Sequence, residues 1–182
     1  MKDLSLHLLD ILTNSVSAGA KDIDINVRDS LKDNVYAFEI RDNGCGIIED
    51  DLARVTDAFF TSRKQRKVGL GLALVKMRTE QCGGVLEIES VVGKGTKVFY
   101  SFQHDNIDRP PLGDVSDALV VACLMRDDLS IRYEHKTDEG VYVFDSSEVK
   151  RVLQDVPIDN FKVMRSIKEM INNNLIEILV NE

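Results

Sequence analysis

Cysteine is scarce in this chain of 182 residues: Cys45, Cys82 and Cys123 are the only three, an odd number with no C-x-x-C spacing. That pattern excludes a disulfide framework and argues against a zinc site, and a reducing, cytoplasmic location is expected. No apolar run approaches the roughly 20 residues that a membrane-crossing helix needs, so no membrane is expected as a partner. The start, Met1-Lys2-Asp3-Leu4-Ser5-Leu6-His7, has no apolar core or cleavage site of an export signal. Positive charge is also short: 23 Lys and Arg stand against 31 Asp and Glu, for a formal charge of −8. No nucleic-acid partner is expected, because non-specific binding depends on Lys and Arg neutralising phosphates. Arg63-Lys64-Gln65-Arg66-Lys67 is a local basic patch against that balance.

What is present is an ordinary globular composition, 43% hydrophobic and 30% charged, at a length that suits one domain with an appendage. Leu4, Leu8, Leu9, Ile11, Leu12 and Val16 recur at helical spacing and predict a helix over 4–18, with His7, Asp10 and Asn14 on another face. Alternation predicts strands at 22–28 and 35–41, and a short helix is expected at 49–56. A helix over 70–81 and strands at 85–90 and 97–102 follow, the strands joined by Gly93-Lys94-Gly95. Composition shifts at Asp108-Arg109-Pro110-Pro111, where adjacent prolines favour an extended linker. Three units are therefore expected: 1–107, a linker at 108–112, and a small α+β unit at 113–182. The last contains helices at 115–125, 146–153 and 160–179 and strands near 130–135 and 141–144.

Several residue groups carry chemistry. Asp10 and Asn14 lie one turn apart and can face one site. The Asn oxygen suits Mg2+, which prefers oxygen ligands and keeps waters beside nucleotide phosphates, and the carboxylate could orient or deprotonate an attacking water or hydroxyl. Both could equally belong to a solvated polar face. His7 shares that broad face, where surface or supporting roles compete with substrate contact. Asp42, at a strand end, could accept a hydrogen bond from the amine of adenine, with Gly44 and Gly46 allowing the base close to the backbone. A plain Asp-Asn-Gly turn is the alternative, and Cys45 between the glycines reads as a packing residue. Gly69-Leu70-Gly71-Leu72 opens a helix whose unpaired N–H groups favour an anion, without a Walker loop's ending or a third glycine. Thr61, Ser62, Arg63 and Lys64 precede it and could form a lid over polyphosphate, or a solvated charge run.

The order of these motifs resembles one superfamily. Leu9 to Ala20 is similar to the asparagine box of histidine kinases, gyrases, heat-shock chaperone ATPases and mismatch-repair ATPases, and Asp42-Asn43-Gly44-Cys45-Gly46 to their first glycine box. Phe59-Phe60-Thr61-Ser62 resembles the motif before the lid, and Gly69-Leu70-Gly71-Leu72 the second glycine box. Gly83-Gly84, Glu89-Ser90 and Gly93-Lys94-Gly95-Thr96 resemble the closing segment of histidine-kinase catalytic domains. The resemblance covers residues 1–103 and implies a two-layer α/β (α+β) sandwich, helices on one face of a mixed sheet, binding Mg-ATP. It implies Asn14 on magnesium, Asp42 on the adenine amine, Gly44 and Gly46 beside the base, and Thr96 in the adenine-side polar network. Gly69, Leu70, Gly71 and Leu72 would lie near the phosphates, with Thr61, Arg63 and Lys64 in the lid.

Three departures matter. Asp10 stands where the ATPase branches commonly have Glu, no histidine-bearing hairpin precedes the domain, and the residues after the linker are too few for a gyrase-type transducer domain. The start of the chain and the junction at 108–114 also resemble stand-alone ATP-binding proteins of anaerobic bacteria, some encoded near iron hydrogenase subunits. The expected function is Mg-ATP binding by a slow ATPase or protein kinase, of serine/threonine or histidine type, acting on a cytoplasmic signalling partner, with Asp10 orienting the nucleophile. The alternative is a non-catalytic, nucleotide-gated module whose lid controls partner docking.

Overall fold

Helix starts are set by short acceptor side chains. The computed structural model describes residues 3–57, 71–154 and 156–179. Helix α1 (Leu4–Ser17) begins behind Asp3, whose carboxylate accepts the Leu6 N–H at 3.0 Å. Asp114, Asp145 and Asn160 cap α4 (Val115–Cys123), α5 (Ser146–Leu153) and α6 (Phe161–Ile178) in the same way, each satisfying one N–H that a helix start leaves orphaned. The short α2 (Glu49–Leu52) gives way to turns over 53–56, shorter than the expected helix. The described part of α3 runs Gly71–Gln81.

The strands are β1 (Asp22–Ser30), β2 (Val35–Asp42), β3 (Leu86–Val91), β4 (Gly95–Gln103), β5 (Ser130–Lys136) and β6 (Val141–Asp145). They form one six-stranded sheet in the order β3-β4-β2-β1-β5-β6. Among the described residues only the β1–β5 pair is parallel, matching Asp22–Arg28 with Ser130–Lys136. Residues on both sides of 108–112 therefore belong to one sheet.

Period-two alternation chooses the core face. Ile23, Ile25 and Val27 on β1, Tyr36, Phe38 and Ile40 on β2, and Tyr100 and Phe102 on β4 are all buried. Phe38 and Tyr100 stack with centroids 4.8 Å apart. The helices cover this face, with α1 touching α3 and α4, and α4 touching α6. α1 contributes Leu4, Leu8, Ile11 and Leu12 to the core, and α6 contributes Ile167, Ile171 and Leu175. The opposite face carries same-strand ion pairs such as Arg41–Glu39 and Arg132–Glu134, which contribute little to stability in solvent.

The proline segment lies against α1. The Pro111 carbonyl accepts the Leu4 N–H at 2.9 Å and the Leu112 carbonyl accepts the Ser5 N–H at 2.8 Å, so two further orphan donors of α1 are met from the linker. A buried polar cluster fastens the same region. Asp29 Oδ1 is 2.8 Å from His104 Nε2, and Asp29 Oδ2 is 3.8 Å from His135 Nε2. The Tyr133 hydroxyl lies 2.7 Å from His135 Nδ1. Arg109 donates from Nε to the His104 carbonyl and sits over the Tyr36 ring. Burial alone would raise the Asp29 pKa, but the adjacent imidazoles of His135 and His104, the latter hydrogen-bonded, outweigh it and hold the carboxyl below its usual value.

Removing this carboxylate strands the buried His104 imidazole and takes from His135 its nearest carboxylate. We expect Asp29→Ala to cost about 3 kcal/mol, read from urea unfolding at neutral pH. Because the folded pKa is depressed, the carboxylate's contribution is complete above the ordinary carboxylate range and is lost as pH falls through it. A cost below roughly 0.5 kcal/mol, the level of an ordinary surface change, would show that the cluster is incidental.

Candidate functional site

Helix α1 carries the first part of the site into the gap between the helix layer and one end of the sheet. Asp10 is half-buried and Asn14, one turn later, is exposed. A Cβ added to Gly71 would stand 3.1 Å from Asp10 Oδ2. The Asp10 carboxylate thus packs directly against the start of the described α3, where any side chain larger than glycine would press on it. The residue after Asn14 was missed by sequence reasoning. Ser15 is buried and donates its hydroxyl to Asp42 Oδ2 at 2.7 Å, tying α1 to the end of β2.

Asp42 is also held by backbone. The Gly44 N–H reaches Asp42 Oδ1 at 2.9 Å and the Thr96 N–H reaches the same oxygen at 3.3 Å. A carboxylate offers about four lone-pair positions. Among the described residues three are taken by neutral donors, two on Oδ1 and one on Oδ2, so Oδ2 keeps one acceptor position for a further donor. Among the described residues, the hydrogen-bond donors to Asp42 are all neutral.

The loop after Asp42 is pinned on both sides. Asn43 Oδ1 accepts the N–H groups of Lys21 and Asp22, and the Cys45 N–H reaches the Ala18 carbonyl at 2.9 Å. From the other side, the Gly93 N–H bonds the Cys45 carbonyl and Ser90 Oγ accepts the Ile47 N–H. Ser90 Oγ also lies 2.9 Å from Thr96 Oγ1. Gly46 has φ 72°, and a Cβ there would approach the Val91 carbonyl oxygen to 2.3 Å. At Gly44 the Cβ would meet Ala18 Cβ at 2.9 Å. Close packing of the loop on its own neighbours thus requires both glycines. Gly95, with φ 117°, approaches the Asp42 carbonyl so closely that a Cβ would stand 1.9 Å away.

The structure brings Asp10 and Gly71 together where α1 meets α3, with Asn14 one turn further along α1, and Asp42, Gly44, Gly46 and Thr96 together at the ends of β2 and β4. Leu72 is half-buried against the core rather than directed outward. Thr61, Arg63, Lys64, Gly69 and Leu70 lie outside the described residues. Asn14 supplies one neutral oxygen, and among the described residues no group of three His, Cys, Asp or Glu converges to hold a metal. That donor set fits Mg2+ held chiefly by phosphate and water, with one protein oxygen. It does not fit a self-sufficient metal cage.

His7 occupies a different environment from the surface or supporting position considered above. It is 1% exposed, and neither ring nitrogen has a hydrogen-bond partner among the described residues. Burial, reinforced by the positive charge of Arg78, lowers its pKa to about 4.

Residues 2–106, more than half of the chain, match the family described as histidine kinase-, DNA gyrase B-, and HSP90-like ATPase, and the chain belongs to that family. It is 35% identical over 108 residues to the sensor histidine kinase YxdK of Bacillus subtilis, covering 56% of this chain and 33% of that protein. The sensor histidine kinase GraS of Staphylococcus epidermidis is 34% identical over 105 residues, with 56% and 30% covered. This chain therefore spans a third or less of the length of these relatives. Among solved structures, the N-terminal domain of a DNA repair protein shares the fold with a TM-score of 0.53 at 18% identity, covering 80% of this chain and 52% of that one. The mixed sheet with its helix layer is the fold expected from the sequence, and the family supports an ATP-binding domain.

Among the described residues no helix is long and apolar enough to cross a membrane. The buried imidazole of His7 yields a test in acid. Its folded pKa lies below the unfolded one, so stability is complete above about pH 6.5 and falls as pH drops towards about 4, by up to roughly 3 kcal/mol. His7→Leu should flatten the urea-midpoint profile in that window while leaving the carboxylate-driven loss at lower pH. An unchanged profile would place the acid sensitivity elsewhere.

Proposed function

We propose that residues 1–107 bind Mg-ATP and that the protein acts as a slow ATPase or protein kinase towards a cytoplasmic partner. The observation that carries this reading is the free acceptor position on Asp42 Oδ2. It sits on a carboxylate already oriented by Ser15, Gly44 and Thr96, which is the chemistry needed to accept the exocyclic amine of adenine and reject the guanine carbonyl. Asn14 would hold the magnesium ion through its side-chain oxygen, and the ion, when bound, supplies charge screening for the phosphates. Asp10 orients the attacking water or acceptor hydroxyl and receives its proton. Its carboxylate is set back by one methylene compared with Glu, which supports slow turnover. Thr61, Arg63, Lys64, Gly69, Leu70, Gly71 and Leu72 would form the lid and phosphate-side contacts.

A second reading is a nucleotide-gated module that binds without turning over. It is favoured by the contact of the linker carbonyls and of α4 with α1, the helix that bears Asn14. Residues 113–182 would then be the docking part, and the resemblance to proteins encoded near iron hydrogenases makes such an enzyme one candidate partner.

Calorimetric titration with ATP and GTP, with and without magnesium and with ADP release followed on the same sample, separates the two readings. We expect magnesium-dependent binding selective for ATP. Turnover would identify an enzyme, tight binding without turnover the gated module, and no binding would refute both. Asp42→Asn should weaken ATP binding by roughly 1.4–2.7 kcal/mol, about 10- to 100-fold; unchanged affinity would refute its placement on adenine. Asp10→Asn should preserve ATP affinity and abolish any turnover, whereas undiminished hydrolysis would show that another group handles the proton.

A further inference from the structure

The two edges of the sheet are protected differently. β3 exposes Glu87 and Glu89, the kind of charge that keeps an edge from pairing with another chain. β6, Val141-Tyr142-Val143-Phe144-Asp145, has no Lys, Pro or bulge, and its one charge is committed, because Asp145 accepts the Ser147 N–H at 2.8 Å as the cap of α5. Among the described residues β6 pairs only with β5. Neither α5 nor α6 fills the space beside it. A cleft of about 700 Å³ lies there, lined by Tyr142, Val143, Phe144, Val152, Ile167 and Met170. Val143 is 45% exposed, Val152 78% and Phe161, at the start of α6, 74%. An apolar edge beside an apolar cleft marks an interaction surface.

We propose that this surface is an interface between two copies of the chain, with β6 pairing antiparallel to β6 across a two-fold axis. The strand is suited to itself. A register centred on Val143 sets Val143 against Val143 on the open face and Tyr142 against Phe144 on the helix side, cross-strand pairs of the type that stabilise antiparallel sheets. The cleft is also self-complementary in charge. Glu148 lies on its α5 wall and Lys162 on its α6 wall, so a two-fold axis can bring each towards its opposite. A uniformly acidic or basic partner would match only one wall. An isologous contact of this kind closes on itself and leaves no free edge to propagate fibres. The sheet becomes one continuous layer with the candidate nucleotide sites of both copies in one particle.

Sedimentation equilibrium and light scattering of the full 182-residue chain test this without reference to nucleotide. We expect a dimer in which Val143→Lys, at an exposed position, weakens association at least tenfold. Val152→Glu on α5 should do the same, while Leu31→Lys, at an exposed site on the β1–β2 turn, should not. Circular dichroism checks that each variant is folded, and hydrogen exchange should show β6 amides whose protection rises with protein concentration. A chain that stays monomeric at all accessible concentrations overturns the proposal. So does a dimer indifferent to both Val143→Lys and Val152→Glu. A monomer that captures an extended apolar peptide along β6 would assign the edge to a different partner and likewise overturn self-pairing.

Discussion

The 2.7 Å hydrogen bond from the Ser15 hydroxyl to Asp42 is the contact on which the candidate site depends. It joins the helix layer to the sheet at the point where, on the proposed reading, base recognition and phosphate chemistry would meet. α1 carries Asp10 and Asn14, and β2 carries Asp42. Neither group is useful unless the distance between helix and strand is fixed. The core fixes it coarsely, through Leu8, Ile11 and Leu12 packed over Ile25, Phe38 and Ile40. Ser15 fixes it finely, because a charged acceptor bonded to a hydroxyl tolerates little displacement.

The backbone around Asp42 is equally constrained. Gly46 and Gly95 press against neighbouring carbonyls at distances that no side chain permits. The loop is thereby clamped between the end of α1 and the β3–β4 turn, and the two N–H groups that orient Asp42 cannot drift. Pre-organisation of this sort lowers the ordering cost when a ligand binds.

Much of this was legible in the sequence, and what was not has a common cause. Each described element has a counterpart in the sequence pattern, and Asp42 and Thr96 are neighbours in the register. Local pattern reports which face of a helix is apolar, but not what a given polar residue will meet. Ser15 finds Asp42 across 27 positions, and His104 finds Asp29 across 75; neither pairing leaves a local mark. His7 looked like a surface residue because imidazole is polar, yet it is buried without a hydrogen-bond partner among the described residues. The proline segment signalled a linker through its chemistry, but its carbonyls gave no sign that they would cap α1. Nor could alternation alone reveal that β5 would join β1 in parallel, since that depends on where α4 packs.

Those long-range contacts bear on how a nucleotide could influence residues 113–182. A ligand shifts a structure only by contacting two arrangements unequally. Any ligand held by Asn14 acts on α1 as a rigid body, and the other end of that body is fastened to the linker by the Leu4 and Ser5 N–H groups at 2.9 and 2.8 Å. An axial shift of α1 large enough to matter at the phosphates would stretch these two bonds before it disturbed the side-chain packing, because hydrogen bonds lose strength over a few tenths of an ångström while apolar contacts slide. Beyond them, Arg109 and His104 lock the linker to Asp29 on β1, which resists the same shift. α1 is therefore an element whose position both the candidate nucleotide site and the linker read directly, and it offers one route of coupling between the two halves of the chain, beside the β1–β5 pairing and the contact of Arg109 with Tyr36 on β2.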